Sequence, residues 1–183
     1  PLKLQKVMGT WISNGITVDV LVNNTGGEKG GPIVNAQVQE FLDAFNQHLI
    51  CNHILATAFI PGMKVKGWGR IINVISTSVK QPLPNLGVSN TIRGAVASWS
   101  KTLANELGPF NITVNNVLPG ATNTGRLQSI IENKANTINE SVDAIREEMA
   151  DESPMKRIAE PQEVANAIYF LASDNASYIN GIN

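Results

Sequence analysis

The chain has 183 residues with 43% hydrophobic and 16% charged side chains, a balance that supports a folded core and excludes an intrinsically disordered polymer. Fourteen Lys and Arg against fifteen Asp and Glu leave a net charge of −1, which gives no basic field for nucleic acid or an anionic membrane. Cys51 is the only cysteine, so an internal disulfide and a cysteine-based zinc site are excluded, and no apolar run approaches the roughly 18 residues of a membrane span.

In chain order, residues 1–16 read as the tail of a helix and lack the charged segment, apolar core and cleavage site of a signal peptide. With the lone cysteine, this makes the cytoplasm the expected location. "VDVLVNN", residues 18–24, reads as a buried strand. The glycine cluster "TGGEKGG", residues 25–31, matches neither G-x-G-x-x-G nor G-x-x-x-x-G-K-[ST] and reads as a flexible loop. A long helix is predicted over residues 38–65, with Phe41, Phe45, Leu49 and Leu55 along its faces. "GRIINVIS" is the second strand, ending at Ser76, and a second long helix is predicted over residues 90–107. There Val96, Trp99 and Leu103 are packing residues, while Gly94, Ala95, Ala97, Ser98 and Ala104 form a small side for a partner helix. "ITVNNVLPG" is the third strand. In the polar stretch that follows, Asn139 is expected to cap a short helix whose Val142, Ile145 and Met149 share a face. "EPQEVANAIYFLAS" is a helix with Pro161 in its first turn, and "SYINGIN" begins another extended run.

Three strands alternating with helices predict an α/β fold, a doubly wound parallel sheet in one domain, residues 1–183. In such sheets ligands bind beyond the carboxyl ends of the strands. Those ends carry Asn24, Thr25 and Gly26, then Ser76, then Pro119 and Gly120.

At these positions the chain resembles the short-chain dehydrogenase/reductase superfamily, in the branch of the 3-oxoacyl-carrier-protein reductases. "VDVLVNNTGG" is similar to the family's D-x-L-V-N-N-A-G strand, with Thr25 for Ala, and "GRIINVIS" to the strand that delivers its catalytic Ser, here Ser76. "LPGATNT" matches the P-G-x-x-x-T segment beside the nicotinamide, and "PMKRIAEPQEVANAIYFLASDNASYINGIN" resembles the C-terminal signature. The resemblance implies a Rossmann-like fold, NAD or NADP as cofactor, hydride transfer to or from a small carbonyl or alcohol substrate, a substrate lid over residues 121–158, and a homodimer or homotetramer. It implies cofactor contacts from Asn24, Thr25, Gly26, Arg93, Pro119, Gly120, Thr122 and Thr124.

Three departures stand out. The family's T-G-x-x-x-G-x-G phosphate loop does not occur in these 183 residues, so the chain is expected to be partial at both ends, without the opening βαβ part. The Tyr-x-x-x-Lys pair is replaced by Ser89 and Arg93. A Tyr hydroxyl titrates near 10 and serves as an acid beside Lys, whereas an aliphatic hydroxyl is a far weaker acid and Arg carries its charge permanently. The family's helix Asn aligns with His48, either a proton carrier or an ordinary polar residue of a buried helix. His53 is five residues on, off that face, so no metal site is expected. Ser76 either binds the substrate oxygen or bonds its own backbone, and Lys80 either polarises a carbonyl or is a solvated loop cation. The catalytic candidates are Ser76, Ser89, Arg93 and His48, on an NAD(P)-dependent oxidoreductase. The alternative is a catalytically weak or inactive member that binds a dinucleotide or a partner protein.

Overall fold

Strand β2 (Gly69–Val74) lies in the middle of a three-stranded sheet, between β1 (Val20–Asn23) and β3 (Ile112–Val117). The computed structural model describes residues 1–183 and divides into two compact units, Pro1–Leu118 with Ile168–Asn183, and Pro119–Ala167. In the first unit both strand pairings are parallel, with Val20 opposite Arg70 and Gly69 opposite Ile112. The first five residues of β2 and of β3 are buried, as strands covered on both faces require, and their sequences are therefore not cleanly alternating. Strand β1 departs from the expectation of a buried run over residues 18–24. It is four residues long and alternates, with Leu21 and Asn23 buried while Val20 and Val22 are 37% and 42% exposed. Only its Leu21 face is covered, by Met8 of α1 (Leu2–Ser13) and by Ile54, Phe59 and Met63 of α3 (Cys51–Lys66).

A row of asparagines crosses the sheet near the strands' carboxyl ends. Asn23 donates to Asn73 at 2.8 Å, Asn73 to Asn116 at 3.2 Å and to the Ser100 hydroxyl at 2.8 Å, and Asn116 to Asn183 at 2.5 Å. Buried amides need such partners, so the row fixes the relative heights of the three strand ends.

The helix predicted over residues 38–65 is present but is not uniform. α2 (Val38–Phe45) runs into a π-helical stretch, Asn46–Ile50, before continuing as α3. Nothing in "NQHLI" announces the wider turn, since neither Gly nor Pro is present. α4 (Gly87–Leu107) begins three residues before the expected start at Asn90. Ala97 and Ala104 belong to its buried face rather than to an outward small side, where they let the helix lie close to the sheet. The final residues do not form the expected extended strand. They run beside β3, Gly181 N–H donating to Val114 O at 2.9 Å and Asn116 N–H to Ile182 O at 3.1 Å, but Gly181 has φ 75 and breaks the ladder.

The second unit contains α5 (Gly125–Ile138) and α6 (Val142–Asp151), packed through Leu127, Ile131, Ala135 and Ile145. Asn139 does not cap α6. With φ 57 it ends α5, a left-handed conformation that Asn tolerates, and Ser141 is the cap, its hydroxyl accepting from Ala144 N–H at 3.1 Å. α7 (Pro161–Ala172) opens with Pro161 as expected. In the second unit Glu163 receives both Arg157 terminal nitrogens at 2.6 Å, and this bidentate bond lowers its carboxyl to about 2. No helix is long and apolar enough to cross a membrane.

Candidate active site

At the carboxyl ends of β1 and β2 the chain leaves the sheet, and the loop after β1 is clamped against the start of α4. Gly31 N–H donates to Asn85 O at 2.7 Å, and Ile33 lies so close to Gly87 that a Cβ added there would stand 2.3 Å from the Ile33 Cβ. Only glycine admits that approach. The clamp folds Glu28 inward, leaving its side chain 9% exposed.

There Glu28 meets two groups from other elements. The Nε2 of His48, on the π-helical stretch, contacts its carboxylate, and Ser89, in the first turn of α4, is the other side chain that lowers it. The other imidazole nitrogen, Nδ1, bonds the Thr25 hydroxyl. His48 is almost wholly buried, and its two ring nitrogens join Thr25 on one side to Glu28 on the other. Burial alone would raise the Glu28 carboxyl. Hydrogen bonds from His48, Ser89 and its own backbone, with the His48 charge, overcome this and lower it to about 2.

Arg93 lies one helical turn after Ser89 and is buried. Its Nη1 donates to Val74 O at 3.0 Å and its Nη2 to Gly26 O at 3.2 Å, tying the ends of β2 and β1 to α4. Ser76 is partly exposed just beyond β2, and its Oγ accepts from Ser78 N–H at 3.1 Å. Asn24 and Gly26 are exposed, and a Cβ at Gly26 would meet only Gln47 Nε2, at 3.4 Å, so the face beside it is open. Lys80 is exposed on the turn that follows Ser76. His53 is exposed and packs edge-on to Trp99, well separated in role from His48, and no three His, Cys, Asp or Glu residues are grouped to hold a metal.

Of the positions in the second unit, Thr122 Oγ1 donates to Gly120 O at 3.1 Å, and Thr124 caps α5 by accepting from Leu127 N–H at 3.3 Å. Glu28 is the residue that sequence reasoning missed. Its partners are 20 and 61 positions away, and the only signal was one acidic side chain inside a glycine-rich loop.

A family model described as Enoyl-(Acyl carrier protein) reductase matches residues 2–183. The chain belongs to the short-chain dehydrogenase/reductase family. It is 34% identical over 166 residues to the NADPH-dependent reductase BacG of Bacillus subtilis (strain 168), covering 90% of this chain and 63% of that protein. It is 32% identical over 164 residues to the 3-oxoacyl-[acyl-carrier-protein] reductase FabG of Pseudomonas aeruginosa, covering 88% of this chain and 61% of the relative. The crystal structure of L-sorbose reductase from Gluconobacter frateurii, complexed with NADPH and L-sorbose, superposes with a TM-score of 0.88 at 31% identity, over 98% of this chain and 68% of that one. The chain thus spans less than two thirds of the curated relatives' own length. In this member of the short-chain dehydrogenase/reductase family Ser89 stands in the first turn of α4 and helps to hold the Glu28 carboxyl low.

Proposed function

We propose that the protein is an NAD(P)-dependent oxidoreductase that interconverts a ketone and a secondary alcohol. The observation that carries this reading is the gathering of hydroxyls, an imidazole and a permanent cation at the carboxyl ends of parallel strands, in a chain whose relatives are named as reductases and dehydrogenases.

The residues fit the nicotinamide end of such a cofactor. The backbone at Gly26 is exposed, and Arg93 of α4 donates to its carbonyl. Asn24, Thr25, Gly26 and Arg93 would hold that end. When bound, the cofactor supplies or removes a hydride at the substrate carbon. The protein's share is to bind the carbonyl oxygen through Ser76 and Ser89 and to place positive charge where negative charge develops. Arg93 gives that charge indirectly, because its terminal nitrogens hold the two loop carbonyls and fix the loops around the oxygen. Residues 121–158 act as the substrate lid. The protein works in the cytoplasm as a homodimer or homotetramer through the α2–α3 and α4 helices, and light scattering at micromolar concentration should find no monomer.

The test is NADPH and NADH oxidation by the full-length protein, followed at 340 nm with ethyl acetoacetate as the carbonyl probe. Turnover with either cofactor is the expected result. Tight binding of both cofactors with no turnover of any carbonyl would replace this reading with that of a binding protein.

A further inference from the structure

We propose that Asn14 is a site of spontaneous deamidation to aspartate and isoaspartate, while the same dipeptide at Asn180 and Gly181 is shielded by the fold. The modification is independent of the reductase reading above.

Asn precedes Gly at two places in the chain, Asn14 with Gly15 and Asn180 with Gly181. Glycine has no Cβ to hinder its own peptide nitrogen, and its backbone turns freely, so an Asn before it is open to attack from that nitrogen. The Gly15 nitrogen gives its proton to hydroxide and attacks the Asn14 Cγ. A new N–Cγ bond forms, the Cγ–Nδ2 bond breaks, and Nδ2 leaves as ammonia with a proton from water. The five-membered succinimide then takes up one water. Opening at Cγ gives aspartate, and opening at the main-chain carbonyl gives isoaspartate, with the chain now running through Cγ. The sum is one water consumed, one ammonia released and one carboxylate gained, with nothing oxidised or reduced.

Both glycines are left-handed, φ 74 at Gly15 and φ 75 at Gly181, but the two pairs differ in what holds them. Asn14 and Gly15 are exposed at the end of α1, in a turn closed by backbone bonds: Gly15 N–H to Ile12 O and Ile16 N–H to Trp11 O, each at 3.0 Å. A Cβ at Gly15 would meet nothing within 4 Å, so the turn has room to move. Helix ends fray at little cost, which frees the Gly15 nitrogen to swing toward Cγ. Asn180 has both ends of its carboxamide engaged, Oδ1 accepting from Val114 N–H at 2.8 Å and Nδ2 donating to Ala104 O at 3.0 Å. Gly181 N–H donates to Val114 O, and Lys101 Nζ to Gly181 O, both at 2.9 Å. Attack at Asn180 therefore requires parting this segment from β3 and α4. At Asn14 the product places a carboxylate at the carbonyl end of α1, where the helix dipole disfavours negative charge. The isoaspartyl form also adds one carbon to the main chain between α1 and β1.

The experiment follows the full-length protein over days in mildly alkaline buffer, folded in one arm and unfolded in guanidinium chloride in the other. Peptide mapping by mass spectrometry reads the exchange of the side-chain amide for a carboxyl at each position, and electron-transfer fragmentation separates aspartate from isoaspartate. In the folded protein Asn14 should convert at least about tenfold faster than Asn180, because several hydrogen bonds must break at Asn180 and one at Asn14. In guanidinium chloride the two should convert at similar rates. Asn14→Gln should remove the acidic species that forms first on isoelectric focusing of the folded parent. Equal rates at the two positions in the folded protein, whether fast or slow, overturn the proposal. An Asn14→Gln protein that still gains the first acidic species at the parent's rate overturns it as well.

Discussion

Gly87→Ala tests how the site is held in place. The added Cβ would stand 2.3 Å from Ile33 Cβ, 2.8 Å from its Cγ1 and 3.0 Å from its Cα. Carbon atoms in contact prefer about 3.5–4.0 Å, so more than about 1 Å must be recovered. No rotation of the Ile33 side chain achieves this, because its Cβ and Cα are themselves in the way. The backbone of the loop after β1 has to move. Overpacking of this kind costs about 1–3 kcal/mol, and the gain from replacing Gly by Ala in a helix returns at most about 1 kcal/mol. The expected result is a net loss of about 1–2 kcal/mol in urea unfolding. The loop should also draw Glu28 away from Ser89, raising the Glu28 carboxyl from about 2 in a 13C titration. Ile33→Gly removes the offending Cβ, so the double variant should regain most of the loss, with a coupling energy of at least about 0.5 kcal/mol in the cycle. A Gly87→Ala protein as stable as the parent, with Glu28 titrating as before, would refute the clamp.

Three further outcomes are expected. The Glu28 carboxyl is depressed from 4.5 to about 2, so its contribution is present above pH 4.5 and disappears as pH falls toward 2. At about 1.4 kcal/mol per pH unit, discounted for solvent screening at the loop rim, this amounts to about 1–2 kcal/mol, and the stability difference between parent and Glu28→Gln should shrink by that much between pH 5 and 2 in chemical unfolding. Arg93→Ala abandons the carbonyls of Val74 and Gly26 and should cost about 2–3 kcal/mol in the same assay, with Arg93→Lys intermediate because one ammonium cannot span both. Ser89→Tyr with Arg93→Lys should raise single-turnover reduction of ethyl acetoacetate at least about tenfold, while Ser89→Tyr alone should gain little.

The fold was legible wherever one residue's environment follows from its neighbours in sequence. The apolar runs at β2 and β3 and the helical spacing of α4 and α7 emerged correctly, since burial on two faces or one stripe leaves a direct imprint on residue order. The polar stretch after β3 read as helical, but α5 was not delimited within it, because Leu127, Ile131 and Ala135 form a stripe too thin to stand out among polar neighbours. Ser76, Ser89, Arg93 and His48 could be singled out from their places in the family pattern. What Arg93 holds could not, because its partners are two backbone carbonyls that carry no side-chain signature. Glu28 was illegible for a related reason. Its burial depends on Gly31 and Gly87 letting the loop close, a condition set by distances between segments rather than by order along one.

The π-helical stretch Asn46–Ile50 carries a consequence for how such a site is altered over time. A wide turn holds one residue more than the α-helix it interrupts, and such insertions recur at functional sites. Deleting one residue there would turn every side chain on one flank of the helix by about 100° relative to the other. If α3 kept its grip on Leu21 and Ile71, the whole rotation would fall on the turn that presents His48. A single codon gained or lost in this stretch therefore re-aims the imidazole while the core stays seated, and a related chain one residue shorter here should face Glu28 with a different side chain.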